Sequence, residues 1–189
     1  MKIMILSDSH SMTKQTLLNF INQHPADYYI HCGDIYMPYS PLEIDNFYNV
    51  RGNNDFADIP KDLTLTIDGL NFFICHGHLF HIDESMYDLE QYALNHKIDV
   101  VCFGHSHNPT CYKKENTLFI NPGSVTFPRG NYPHPTYCIF DTENHEVQFY
   151  DLKENQPCNP FEAKKKESFL KDSLNNYFSI MIDVGKILL

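Results

Sequence analysis

The sequence is poor in basic residues and has no long apolar run. Only 14 of its 189 residues are Lys or Arg, against 24 Asp and Glu, which gives a formal net charge of −10. Because binding along a phosphate backbone needs a basic surface, this balance argues against stable binding of DNA or RNA. No stretch approaches about 18 apolar residues, and the N-terminal apolar run is too short for the core of a signal peptide. We therefore expect a soluble cytoplasmic protein with no membrane association.

The sequence also lacks tryptophan and has no Cys-x-x-Cys spacing, which argues against a zinc ribbon. Three of its six cysteines, Cys32, Cys75 and Cys102, lie inside apolar runs. We expect them to be free thiols that act as small hydrophobic residues, since disulfides are rare in the cytosol.

Length and composition predict one main domain over residues 1–152. From Lys153 the composition changes, and two prolines and the basic run 164–166 precede apolar residues at helical spacing. We interpret residues 153–189 as a linker followed by an amphipathic helix. Docking of this helix on its own core is favoured over a dimer contact or a membrane-surface anchor. The dimer contact is kept as an alternative, and a homodimer or a larger homo-oligomer is therefore possible.

Short apolar runs in the main domain alternate with turn residues and with two segments of helical periodicity. One helix is predicted after Thr13 and one over residues 83–96. The Asp68-Gly69 pair between two strand-like runs indicates a hairpin. The predicted strands cover residues 2–7, 27–32, 47–51, 63–67, 70–75, 98–103, 110–113, 117–121, 135–141 and 145–152. This order predicts a mixed α/β core.

Polar side chains follow most of the predicted strands on the N-terminal side of residue 108. The run that ends in Gly104-His105-Ser106-His107 is typical of a buried strand, and in a continuing strand its two histidines would point the same way. Oxygen and imidazole ligands suit divalent ions such as Mn, Fe or Zn. Too many such groups are present for one tetrahedral ion, which indicates two ions. The candidate ligands are Asp8, His10, Asp34, Asn53, His76, His105 and His107.

The ordered motifs resemble those of the calcineurin-like metallophosphoesterase superfamily. They are Asp8-x-His10, Gly33-Asp34, Gly52-Asn53, His76 and Gly104-His105-x-His107. The chain length, with His76-Gly-His78 and Asn121-Pro-Gly-Ser124, is similar to that of the small bacterial and archaeal phosphodiesterases.

The resemblance implies a sandwich of two mixed sheets flanked by helices, a four-layer αββα fold. It also implies a dinuclear site, with Mn²⁺ expected and Zn²⁺, Fe²⁺ or Ni²⁺ as alternatives, that hydrolyses phosphodiesters through a hydroxide bridging the two ions. By position, Asp34 would bridge. Asp8, His10 and His107 would hold the first ion, and Asn53, His76 and His105 the second.

One position departs from the family pattern. Many members have a histidine after Gly-Asn that protonates the leaving group, but here Asn54 follows Asn53. An amide is a poor general acid at neutral pH. His78 is a candidate substitute. The alternative is that His78 orients a neighbouring metal ligand or only supports the fold. Arg129 is a candidate clamp for a phosphate oxygen.

Few basic residues in the motif loops favour diesters over the more highly charged monoesters, with a phosphomonoesterase as the alternative. A second class is a non-catalytic protein-binding scaffold, since the same fold serves as one in a eukaryotic retromer subunit. The filled ligand positions favour the enzyme. A metallo-β-lactamase-like interpretation of residues 76–81 fails because Phe80 stands where that motif needs Asp. Substrate specificity is expected from loops 36–39 and 127–134.

Overall fold

The computed structural model describes residues 1–35 and 44–162, which form eleven strands and two α-helices. A 3₁₀ turn over His78–Phe80 is additional. The elements in chain order are β1 (Lys2–Leu6), α1 (Lys14–Gln23), β2 (Tyr28–His31), β3 (Phe47–Asn49), β4 (Asp62–Ile67), β5 (Leu70–Cys75), α2 (Tyr87–His96), β6 (Val100–Cys102), β7 (Thr110–Lys114), β8 (Thr117–Asn121), β9 (Thr136–Asp141), β10 (Glu146–Asp151) and β11 (Gln156–Cys158).

The strands form two mixed sheets. The first has six strands in the order β11-β10-β9-β1-β2-β3, in which β1, β2 and β3 are parallel. The second has five strands in the order β4-β5-β6-β8-β7, in which β5, β6 and β8 are parallel. The parallel strands of each sheet therefore deliver their following loops to one edge, where open α/β sheets place ligands.

The core consists of three layers of apolar contacts, because alternate residues of each buried strand face opposite ways. Ile3 and Ile5 of β1 pack between the two sheets, whereas Met4 and Leu6 pack against α1. In the second sheet, β5 and β6 likewise place alternate residues between the sheets and against α2. The predicted αββα fold is confirmed.

Local signals placed several elements correctly. Thr13 caps α1, with its side chain accepting a hydrogen bond from the Thr16 amide at 3.1 Å. Asp68 and Gly69 both have positive φ, at 51° and 80°, as a tight hairpin turn between β4 and β5 requires. All six cysteines are free, including the three that were expected to be free thiols.

Most strand boundaries differ from the sequence prediction by one or two residues, and three differences matter for the site or the fold. Helix α2 starts at Tyr87 rather than at residue 83, and β6 ends at Cys102. Strand β11 pairs with β10 beyond residue 152, so the first sheet continues to Cys158 through a segment interpreted as linker. Pro157 is tolerated there because β11 is an edge strand, where a missing amide donor need not break the ladder.

The predicted amphipathic helix lies in residues 163–189, outside the described residues. Among the residues that are described, neither helix is long and apolar enough to cross a membrane.

Candidate metal centre

The candidate ligands lie in loops that directly follow β1, β2, β3, β5 and β6. Backbone hydrogen bonds join these loops, because the Asp8 amide donates to the Gly33 carbonyl at 3.1 Å and the His10 amide to the Asp34 carbonyl at 3.0 Å. The Gly104 amide donates to the His76 carbonyl at 3.0 Å and thus joins the two loops of the second sheet. The His105 amide donates to Asp8 Oδ2 at 3.1 Å, which links the loops of the two sheets into one connected frame.

The backbone of this frame is strained at the candidate ligands. The left-handed φ region costs free energy for residues other than glycine, and such residues cluster at functional sites. Five of the seven candidates have positive φ: Asp8 (54°), His10 (30°), Asp34 (54°), His105 (67°) and His107 (58°). This concentration marks the strand ends as a functional region independently of the side chains.

One group of side chains unites the loops after β1 and β6. The Nε2 atoms of His10 and His107 are 3.1 Å apart, and Asp8 Oδ1 lies 3.2 Å from His107 Nε2 and 3.8 Å from His10 Nε2. The three ligand atoms are close enough to hold one metal ion.

A second group unites Asp8, Asp34 and His76. His76 Nε2 lies 3.9 Å from Asp8 Oδ1, 3.5 Å from Asp34 Oδ2 and 3.1 Å from Asn53 Oδ1. Asp34 Oδ2 is also 3.7 Å from His10 Nε2, so this carboxylate lies between the two groups. Both Asp8 and Asp34 are thus within reach of both groups.

Two of the imidazoles are oriented by backbone carbonyls. His76 Nδ1 lies 2.7 Å from the Cys32 carbonyl oxygen, and His107 Nδ1 lies 2.7 Å from that of Phe127. Each ring thus donates its Nδ1 proton and directs a free Nε2 lone pair into the centre, which is the usual arrangement of metal-binding histidine.

His105 is placed differently from the other histidines. Since β6 ends at Cys102, His105 and His107 lie in a loop and do not share the orientation that a continuing strand would give them. His105 Nε2 contacts Asp83 Oδ2 at 2.8 Å, while its ring centroid is 5.1 Å from that of His76. His105 is therefore near the second group but belongs to neither triad of closely spaced ligand atoms.

The buried carboxylates are the main electrostatic feature of the centre. Burial raises the pKa of Asp8, but the neighbouring imidazoles of His107 and His76 outweigh it and lower the pKa below its ordinary value. Asp8 Oδ1 is buried and accepts no hydrogen bond within the described residues. A buried anionic oxygen that accepts no hydrogen bond and lies among imidazole nitrogens is well suited to bind a divalent cation. The residues present therefore fit a metal site.

Asn54 holds Asp34 by two hydrogen bonds. Its backbone amide donates to Asp34 Oδ1 at 2.8 Å and its side-chain amide to Oδ2 at 2.6 Å. Burial acts to raise the pKa of Asp34, but His76 and these two bonds lower it well below its ordinary value. Asn54 thus orients a carboxylate and keeps it ionised, a role that sequence reasoning missed.

The two remaining candidates lie on different sides of the centre. Arg129 lines a cavity of about 470 Å³ that includes His10, Asp34 and Asn53 among its walls. The ring of His78 is 5.3 Å from that of His76, but His78 is not among the residues that line this cavity. Burial, with the charges of His76 and His105, lowers the pKa of His78 to about 4, so its imidazole is neutral at pH 7 and poorly suited to donate a proton.

Supporting residues tie the frame together. Asp55 Oδ2 accepts from the Asp34 and Gly52 amides, both at 2.8 Å. Ser124 Oγ and Thr126 Oγ1 both donate to the Asp8 carbonyl, at 2.8 and 2.9 Å. The sequence signal for Asp55 is its position just after Asn53-Asn54, and that for Ser124 is the Asn-Pro-Gly-Ser turn.

A sequence model of the calcineurin-like phosphoesterase superfamily domain matches residues 1–145. The chain belongs to this superfamily. Among curated members, it is 35% identical over 161 residues to a probable metallophosphoesterase, YsnB, of Bacillus subtilis, which covers 82% of this chain and 94% of that protein. It is 31% identical to the phosphodiesterase MJ0936 of Methanocaldococcus jannaschii, over 78% of this chain and 97% of that protein.

Solved structures of other proteins share the fold. A predicted phosphoesterase from Streptococcus pneumoniae superposes with a TM-score of 0.73 at 28% identity, covering 80% of this chain and 90% of that one. A zinc complex of Vps29 from Entamoeba histolytica superposes with a TM-score of 0.66 at 17% identity, over 84% and 96% of the two chains, which shows the common fold alone. The prediction of a metallophosphoesterase is confirmed at the level of the family.

Proposed function

We propose that the protein is a phosphodiesterase that depends on two divalent metal ions, with Mn²⁺ as the expected ion. The single observation that carries the proposal is the unpartnered Asp8 Oδ1 among three imidazole nitrogens at 3.2–3.9 Å. The name of the relative MJ0936, a phosphodiesterase, supports the same activity.

The proposed ligand sets follow the two groups of side chains. Asp8, His10 and His107 would hold the first ion, and Asn53, His76 and His105 the second, with Asp34 bridging. When bound, the two ions would supply Lewis acidity toward the phosphate oxygens and lower the pKa of a water to near 7.

The residues of the chain then have separate tasks. Asn54 fixes the orientation of Asp34 and keeps it anionic. Arg129 binds a phosphate oxygen from the rim of the cavity. A diester carries one negative charge where a monoester carries nearly two, so a cavity whose described walls contain one guanidinium suits a diester better.

We further propose that the protein acts in the cytoplasm on small phosphodiesters. An acidic protein with a formal charge of −10 is poorly matched to long nucleic acids, which supports a small substrate.

The test is hydrolysis of bis-p-nitrophenyl phosphate by protein stripped of metal and then reloaded. We expect activity to return with Mn²⁺ and to be lost in Asp34→Asn. Asp88→Asn is the control, since Asp88 is an exposed carboxylate in the first turn of α2. Equal rates in wild type and Asp34→Asn would remove the catalytic interpretation and leave the protein-binding scaffold. Faster turnover of p-nitrophenyl phosphate would show a monoesterase instead.

A further inference from the structure

The cavity beside the metal centre has an aromatic side chain in its wall that metal binding does not use. Phe127 lines the cavity together with His10, Ser11, His107 and Arg129. Its side chain is 51% exposed, and its ring centroid lies 5.5 Å from that of His10 at an angle of 49°. An apolar ring that is half accessible next to charged groups is a surface that a ligand can cover.

The loop that carries Phe127 is tied to the metal centre on both sides. The Phe127 amide donates to Ser124 Oγ at 2.8 Å, and Ser124 Oγ donates to the Asp8 carbonyl at 2.8 Å. On the other side, His107 Nδ1 donates to the Phe127 carbonyl at 2.7 Å and the Arg129 amide donates to the His107 carbonyl at 3.0 Å. The loop is therefore ordered before a ligand arrives, which reduces the entropy cost of binding.

The same short loop presents two chemically different groups to one cavity. Phe127 offers an aromatic face, and Arg129, two residues on, offers a guanidinium with donors for a phosphate oxygen. A volume of about 470 Å³ lies within the range of ordinary small-molecule sites, which is larger than a bare phosphate needs. A phosphate ester that carries a planar ring would satisfy both groups at once.

We propose that Phe127 forms a stacking subsite, so that the substrates are phosphodiesters with an aromatic ring on one ester group, either an aryl group or a nucleobase. The inference rests on the proposed phosphodiesterase function and specifies its substrate class. Arg129 binds the phosphate while the ring stacks on Phe127.

Exposure alone does not mark such a subsite. Phe56 is 91% exposed, more than Phe127, but it is not among the residues that line the cavity. Phe56→Ala is therefore a matched control, since it removes an exposed phenyl ring from the same protein without changing a described cavity wall.

The experiment is calorimetric binding of four phosphate monoesters to the full chain, with and without Mn²⁺. Phenyl phosphate and thymidine 5′-monophosphate carry a ring, whereas methyl phosphate and ribose 5-phosphate carry the same charge without one. We expect the ringed esters to bind roughly tenfold more tightly than their ringless counterparts, as base–aromatic stacking usually gives. The ester with the larger advantage tells whether the ring is an aryl group or a nucleobase.

Phe127→Ala should remove that advantage and leave the ringless esters within about twofold of wild type, and Phe127→Trp should restore it. The backbone carbonyl that orients His107 is kept in both variants, and Phe56→Ala should bind like wild type. The inference is overturned if ringed and ringless esters bind alike, or if Phe127→Ala weakens all four equally.

The two proposals fail separately. If bis-p-nitrophenyl phosphate is hydrolysed but no preference for a ring is found, the subsite is wrong and the phosphodiesterase stands. If the ring preference is found but no diester is hydrolysed, the binding site stands and the catalytic proposal is wrong.

Discussion

The two halves of the proposed two-metal centre differ in how closely their ligand atoms are gathered. In the first half, Asp8, His10 and His107 already bring their ligand atoms to within 3.1–3.8 Å of one another. In the second half, the Asn53 side chain is exposed and His105 Nε2 is in contact with Asp83. We therefore expect the first half to bind its ion more tightly than the second.

The largest effect should come from Asp8→Asn, because Asp8 belongs to the proposed ligand set of the first ion and its Oδ1 also lies 3.9 Å from His76 Nε2 in the second group. We expect a loss of activity of about 10³-fold or more, well above the 10–100-fold typical of an outer hydrogen-bond partner, together with loss of both ions. Steady-state rates and metal analysis after dialysis check this. A variant that keeps one tightly bound ion would show that the halves are independent.

The two buried carboxylates can be disturbed one at a time at two glycines. A Cβ on Gly104 would lie 1.9 Å from Ser7 Oγ and 2.9 Å from Asp8 Oδ2, whereas one on Gly52 would lie 2.0 Å from Asp34 Oδ1. We expect Gly104→Ala to weaken binding of the first ion, Gly52→Ala to displace Asp34, and each to lower the free energy of unfolding by about 1–3 kcal/mol.

Gly69→Ala is the control for both glycines, since a Cβ there meets no atom within 4 Å and adds only the strain of a positive φ. Urea unfolding and Mn²⁺ titration measure the effects. Unchanged metal binding in Gly104→Ala would show that the close approach of these loops is not needed.

His31 connects the loops after β1 and β2 and makes the metal-free frame sensitive to acid. Its Nε2 donates to Ser9 Oγ at 3.1 Å and its Nδ1 accepts from the Gly33 amide at 3.3 Å, so the fold needs the neutral ring. Complete burial lowers the pKa of His31 to about 4. Because the folded-state value lies below the ordinary 6.5, this contribution to stability is present above about pH 6.5 and is lost as the pH falls toward about 4.

The free energy of unfolding of the metal-free protein can be measured in urea at about pH 7 and about pH 4.5. Because each unit of pKa difference corresponds to roughly 1.4 kcal/mol, we expect this free energy to fall by about 2–3 kcal/mol more in wild type than in His31→Gln. The same pH-dependent loss in both proteins would assign the acid sensitivity to other groups.

The smallest effect is expected from Asp83→Ala. The Asp83 carboxylate contacts Nε2 of His105 at 2.8 Å and fixes the position of its ring beside the second group of ligand atoms. Loss of such a carboxylate usually weakens metal binding by 10–100-fold, so we expect a loss of about tenfold for the second Mn²⁺ only. Glu84→Ala, a neighbouring exposed carboxylate, is the control. Tighter binding in Asp83→Ala would show that Asp83 competes with the ion for His105.

The position of polar residues just after buried strands explains which parts of the centre could be predicted. Asp8, Asp34 and His76 directly follow buried strands, and the period of two in those strands fixed both the sheet faces and the edge at which the loops meet. The contacts of Asn54 with Asp34 and of Asp83 with His105 could not be predicted. They depend on loop conformation and on residues distant in sequence, which no local periodicity records.

The end of β6 shows the same limit. The apolar run to Phe103 predicts a longer strand, but the chain leaves the ladder after Cys102 and turns through positive φ at His105. A Cβ on Gly104 would lie 1.9 Å from Ser7 Oγ in the loop after β1, so the chain passes too close to that loop for any residue larger than glycine at this point. Strand β11 was missed because its proline is unfavourable in a central strand but acceptable at an edge.

Each proposed ligand set draws on both sheets, since Asp8, His10 and Asn53 follow strands of the first sheet and His76, His105 and His107 follow strands of the second. A bound ion would therefore cross-link two sheets that otherwise pack together through apolar side chains. Heat resistance should then rise with the concentration of free metal, so that a cell starved of the ion would lose the folded protein as well as its activity.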